Sequence, residues 1–138
     1  MDATTTLPPS LDIDCSDLTT RSINRAIRDA IETGTTSIQL LHPSARHNLG
    51  VALQEGIHLT IQGSAGYYVG GLNDGATIEV HGSAGWGAAE SMRDGTVVID
   101  GDVGNAVAAS IRAGTVVVRG NASTRAGIAM KGGLLLVA

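Results

Sequence analysis

From residue 44 onward, short bursts of apolar and polar positions return every 19 residues. Leu59 and Ile61 flank a threonine, and Ile78 and Val80 flank a glutamate. Val97 and Ile99, Val116 and Val118, and Leu135 and Val137 repeat the pair. A spacing of two puts both members of a pair on one face of a strand. These pairs are predicted to point into a common interior.

Laid out at that period, the chain reads SARHNLGVALQEGIHLTIQ, GSAGYYVGGLNDGATIEVH, GSAGWGAAESMRDGTVVID, GDVGNAVAASIRAGTVVVR and GNASTRAGIAMKGGLLLVA. No gap is needed. Gly63, Gly82, Gly101 and Gly120 open four of the segments, and Gly66, Gly85 and Gly104 follow three positions later. Glycine recurring at fixed places marks turns with positive φ, or corners with no room for a Cβ. A unit this short has no space for a helical crossover. The repeat predicts a mostly-β fold, a right-handed single-stranded parallel β-helix of five coils over residues 44–138. Equivalent residues then lie about 4.8 Å apart on neighbouring rungs.

Stacking gives the outward columns meaning. Between the interior pairs lie Thr60, Glu79, Val98, Val117 and Leu136. This column turns apolar, so Val98, Val117 and Leu136 are candidate contacts to a partner protein. Another column runs Glu55, Asp74, Arg93, Arg112, Lys131. Asp74 is placed to pair with Arg93, while Arg93, Arg112 and Lys131 form a cationic ladder, either a solvated corner or a docking stripe. The aromatics are Tyr67, Tyr68 and Trp86, with no Phe. Tyr67 and Trp86 share a column with Asn48, Asn105 and Thr124. All three aromatics are candidate contacts, because a core this slim directs large rings outward and such residues are enriched at interfaces.

Residues 1–43 lie outside the repeat and are predicted to be a flexible lead and an αβ cap. Leu11–Asp14 suggests a strand. Thr19 or Thr20 is a helix N-cap, Ile23, Ile27, Ala30 and Ile31 line one helical face, and Gly34 is a stop. Ser37–Leu41 reads as a second strand. A solenoid leaves an open ladder edge at each end, and the cap is expected to cover the first. The last rung, Gly-Gly-Leu-Leu-Leu-Val-Ala, is strongly apolar. Further coils or another chain are expected to stack on it.

Charge and composition narrow the class. A net charge of −4 argues against nucleic acid as partner. No apolar run is long enough for a membrane span, and the first residues lack a secretory pattern. A single cysteine fits a cytoplasmic setting and gives no disulfide framework. Cys15 reads as a structural thiol, and His42, His47, His58 and His81 as isolated surface histidines. The Gly-rich segments lack the Gly-Lys-Ser/Thr of a phosphate loop. No catalytic, cofactor-binding or metal residue is expected on this chain.

The glycine repeat resembles the Gly-rich domain at the C-terminus of the glutamate synthase large subunit, and a similar domain found in formylmethanofuran dehydrogenase. Gly66-Tyr67-Tyr68 and Ala84-Gly85-Trp86-Gly87, with Thr20-Arg21-Ser22-Ile23-Asn24, look most like the stand-alone Gly-rich subunit of the N-methylglutamate synthase group. The resemblance implies a scaffold subunit of a multi-subunit enzyme making N-methylglutamate from glutamate and methylamine. It implies an amidotransferase-like partner and a second partner carrying FMN and iron–sulfur clusters. A formylmethanofuran dehydrogenase scaffold and an independent β-helix binding module, such as a polysaccharide binder, are the alternatives. Coil one departs from the pattern, with Ser44 and His47 where glycines are expected.

Overall fold

The computed structural model describes residues 10–138; the start of the predicted lead, residues 1–9, lies outside the described residues. The elements are β1 (Ser10–Asp14), α1 (Thr20–Glu32), β2 (Ser37–Leu41), β3 (His58–Gln62), β4 (Asp74–Val80), β5 (Asp94–Ile99), β6 (Thr115–Val118) and β7 (Leu134–Val137). All seven strands are parallel and lie in one sheet in chain order. The chain is a β-solenoid with coils of about 19 residues.

The strand side follows the repeat closely. Ile78 faces Val97, Val97 faces Val116, and Val116 faces Leu135. Leu59, Ile78, Val97 and Val116 are fully buried, as are Ile61, Val80, Ile99 and Val118. Val, Ile and Leu stack over their own kind because the pleat returns each side chain to the same face one rung later. The rest of the interior is filled by groups such as Val69, Ala88, Val107 and Ile111. The narrow interior needs no aromatic ring.

The N-terminal segment departs from the expected cap. Ser10–Asp14 pairs with Ser37–Leu41, which pairs in turn with β3. Its two strands are therefore further rungs of the same ladder, and the sheet runs unbroken across residue 43. They extend the ladder edge instead of covering it. The helix covers the end of the core. Thr19 caps it, its hydroxyl accepting from the Ser22 N–H at 3.1 Å. Ile23 and Ile27 enter the hydrophobic core.

Asn24 then docks the helix on coil one. Its side-chain amide donates to the Asn48 carbonyl at 2.7 Å, and its oxygen accepts from the Gly50 N–H at 3.3 Å. In later coils the corresponding N–H bonds to a carbonyl of the preceding coil, as Gly70 does to Leu49 and Ala89 to Val69. Asn24 thus takes the place of a preceding coil's carbonyl. Asn73 is the buried polar side chain among the described residues. It satisfies itself locally, donating to the Ala76 carbonyl at 2.8 Å and accepting from the Ala76 N–H at 3.0 Å.

Candidate functional site

The corner opposite the sheet is built on an alternation of backbone handedness. In coil four, Ala106, Ala108 and Ser110 have φ of 64, 57 and 59°. Coil three has Gly87, Ala89 and Ser91 at the same slots, all with positive φ. The left-handed residues themselves direct their N–H groups by turns to the coil after and the coil before. Ala106 donates to Thr124 in the next coil, Ala108 to Ala88 in the preceding one, and Ser110 to Ile128 in the next. Left-handed non-glycine residues cost about 1 kcal/mol or more each. Here the inter-coil bonds hold them in place.

This corner drifts from the ungapped 19-residue register. Asn48, Gly50 and Ala52 take the left-handed slots in coil one, each one position early. His47 consequently sits where Tyr67 and Trp86 sit in the next two coils. Its ring stacks on Tyr67 at 4.3 Å between centroids and 22°, and Tyr67 stacks on Trp86 at 5.5 Å and 20°. Asn48, expected in this column, does not join the row. His47 Nδ1 also accepts from the Tyr67 backbone N–H at 2.7 Å. The predicted aromatic pair is thus a row of three rings. The signal was a ring-bearing residue at the vacated glycine position of coil one.

The row explains the second glycine column. A Cβ on Gly66 would collide with His47. One on Gly85 would lie 2.6 Å from Tyr67 Cδ1, and one on Gly104 2.6 Å from Trp86 Cδ1. Coil four has Asn105 in place of a ring, and coil five has Ser123 in place of the glycine. Gly66, Gly85 and Gly104 are therefore seats for the ring of the preceding coil, not turns. Gly82, Gly101 and Gly120 are also close approaches: an added Cβ would lie within 2.5–3.0 Å of backbone carbon in the coil before. Of the predicted turn glycines, Gly63 alone has positive φ, at 140°.

Tyr67 is 49% exposed and Trp86 57%. They form one wall of a groove of about 360 Å³ whose other lining includes Tyr68, Glu90, Asn105 and Arg125. Tyr68 has φ 67° and lies flat over Gly71. Burial, followed by the charge of the Glu90 carboxylate and its hydrogen bond to the phenol, holds the Tyr68 pKa above its ordinary value. Asn105 Oδ1 accepts from the Thr124 hydroxyl at 3.1 Å. The other large groove, about 620 Å³, lies between α1 and coil one, with Ile27, Ile31, Val51 and Leu53 among its lining.

On the outer face of the sheet, Thr60, Glu79, Val98, Val117 and Leu136 lie in register as expected. Val98 and Val117 are half-buried and Leu136 is 50% exposed. Beside them runs a polar ladder. His81 Nδ1 meets Asp100 at 2.7 Å, and Arg119 donates to Asp100 at 2.8 Å. The hydrogen bond from His81 leads in holding the Asp100 carboxyl below its ordinary range. His58 contacts Glu79. Three of the four histidines thus have side-chain or ring partners and are not isolated.

Arg93, Arg112 and Lys131 are exposed and stacked, Arg112 N bonding to Met92 O and Lys131 N to Ile111 O. The expected pairing of Asp74 with Arg93 does not form. A register shift after Asp74 sets it opposite Asp94. Cys15 is fully buried, with its thiol directed at the Ile13 carbonyl, and burial raises its pKa. Among the described residues no three His, Cys, Asp or Glu side chains form a metal-holding group. No described helix is long and apolar enough to cross a membrane.

These features define a parallel β-solenoid carrying an aromatic row on one corner and an apolar strip on its sheet. No family model, curated protein or solved structure matches the chain.

Proposed function

We propose that the chain is a non-catalytic scaffold subunit of a glutamate-synthase-like complex in the cytoplasm, specifically of N-methylglutamate synthase. It would hold an amidotransferase-like subunit against a subunit bearing FMN and iron–sulfur clusters, and would itself bind no cofactor. The observation that carries this reading is the Val98–Val117–Leu136 strip on the outer face of the sheet. Aligned apolar side chains on a rigid face suit docking against another folded surface. The Gly-Tyr-Tyr and Gly-Trp-Gly segments support the choice of complex.

Co-expression with the two partner subunits tests it. A stable three-subunit assembly is expected, and Val98→Asp with Val117→Asp should release the chain while leaving its far-ultraviolet circular dichroism unchanged. Recovery of the chain without either partner would refute the reading. Co-purification with a molybdopterin protein would move it to the formylmethanofuran dehydrogenase group.

A further inference from the structure

We infer that the groove between α1 and coil one, with the arginine row on its rim, is a docking site for an amphipathic helix of a partner polypeptide that carries an acidic row beside its apolar stripe. The inference rests on the scaffold reading above and names the chemistry of one of its contacts.

The first support is charge. Arg21, Arg25 and Arg28 follow at i, i+4 and i+7 and stand exposed on α1. With Asn24 they line a groove of about 330 Å³. None of the three pairs with a carboxylate among the described residues. Asp29 and Glu32 lie one turn beyond Arg25 and Arg28 but form no ion pair with them and line neither groove. Like charges three or four residues apart oppose each other on a helix. Arg21 also stands in the first turn, at the positive end of the helix dipole, where no acidic residue answers it. The row therefore works against the helix that carries it, and an acidic occupant turns that repulsion into attraction.

Shape is the second support. To the groove of about 620 Å³, α1 contributes Asn24, Ile27, Arg28 and Ile31. This is an i, i+3, i+4, i+7 stripe about 10 Å long, the kind of face on which one helix packs against another. Coil one supplies Val51, Leu53 and Ile57. Ile27, Leu53 and Ile57 are buried, and Ile31 and Val51 half-buried. The apolar groups are thus recessed, where a narrow ridge reaches them and the flat surface of a bilayer does not. Asn24 and Arg28 line both grooves. A helix whose apolar stripe enters the larger groove therefore lays its flank over the arginines, and acidic residues at i, i+4 and i+7 repeat their spacing. A small polyanion would use the arginines and leave the apolar groove unfilled. Coil one brings Glu55 to the lining, which restricts the acidic flank to the α1 side. A second copy of this chain is a poor occupant, because α1, its helix among the described residues, carries the same arginines.

A labelled helical peptide with a leucine stripe flanked by glutamates is the probe. Its controls are one peptide with lysine for glutamate and one with serine for leucine. Fluorescence anisotropy against the full chain should show saturable binding of the probe, weakened by added salt. Both controls should bind at least about tenfold more weakly. Arg25→Glu should weaken binding of the probe by about tenfold, with circular dichroism unchanged. Arg93→Glu, which reverses a cation outside the groove, should bind as the parent does. No saturable binding, equal binding of either control, binding untouched by Arg25→Glu, or equal weakening by Arg93→Glu would each overturn the inference. So would Arg25-dependent binding of phosphatidylglycerol vesicles or pyrophosphate without binding of the peptide, which would assign the row to a membrane or a small anion. The titration needs no partner subunit. Failure here with an intact three-subunit assembly refutes the groove alone, whereas a missing assembly refutes the scaffold.

Discussion

The sheet and the opposite corner repeat at the same interval but obey different rules. On the sheet, side chains set the register. An interior filled by Ile78, Val97 and Val116 tolerates no slip, because a shift of one residue would turn every apolar group outward. On the corner, the backbone sets the register through alternating handedness and inter-coil bonds. Coil one can lose a position there and regain it between Gln54 and His58, so that β3 and β4 pair in the full 19-residue register. Regularity in a solenoid is therefore enforced where side chains interlock, and length variation collects where the main chain does the work.

The sharpest way to break that distinction is to add bulk to a corner glycine. Gly82→Val would drive a side chain into the Gly63 backbone, which cannot move aside. A loss of about 4 kcal/mol or more is expected from denaturant unfolding. Ile99→Ala removes interior volume from a fully buried site on the sheet. It should cost about 3 kcal/mol by the same measurement while leaving the strand signal intact. Equal tolerance of both changes would remove the contrast.

Asn24→Leu tests the link between helix and coil one. It strands the Gly50 N–H and should cost about 1–2 kcal/mol. Hydrogen exchange should accelerate at Gly50 and not at Val116. Gly104→Ala is smaller in effect because its obstruction includes a side chain, Trp86. A double-mutant cycle with Trp86→Ala should show about 1 kcal/mol of coupling, the alanine being better tolerated once the indole is gone. Zero coupling would mean that Gly104 is no ring seat.

The smallest effect expected is on pH. Asp100 has its folded pKa lowered through His81 and Arg119. Its contribution is present above the ordinary carboxylate value and lost as pH falls through the folded one. Asp100→Asn should flatten the fall in stability below about pH 4. An unchanged acid limb would remove Asp100 from the account.

The strands and helix were legible because Ile61 and Val80, or Ile23 and Ile27, carry the periodicities of buried faces. The corner was not. Ala106, Ala108 and Ser110 are small residues at alternate positions, a pattern that also fits an ordinary loop, and left-handed φ leaves no hydropathy trace. His47 was misplaced because an ungapped period assumes that every coil has the same contour. The two N-terminal rungs were read as a cap because the helix between them hides the repeat. The apolar strip and cationic column could be read as columns; Asp74 and Arg93 could not be read as apart, since only a local shift separates them.

The bonds between coils have a further consequence for how such a chain can change length. Each coil takes its N–H and carbonyl partners from its two neighbours and from little else. Duplicating or excising one complete unit, Gly82 through Asp100 for instance, presents the flanking units with surfaces they already match. Removing half a unit leaves sheet residues opposite corner residues, with neither side chains nor backbone groups in correspondence. The molecule behaves as a ruler graduated in whole turns, and surface features on different turns can be moved apart or together only by discrete steps.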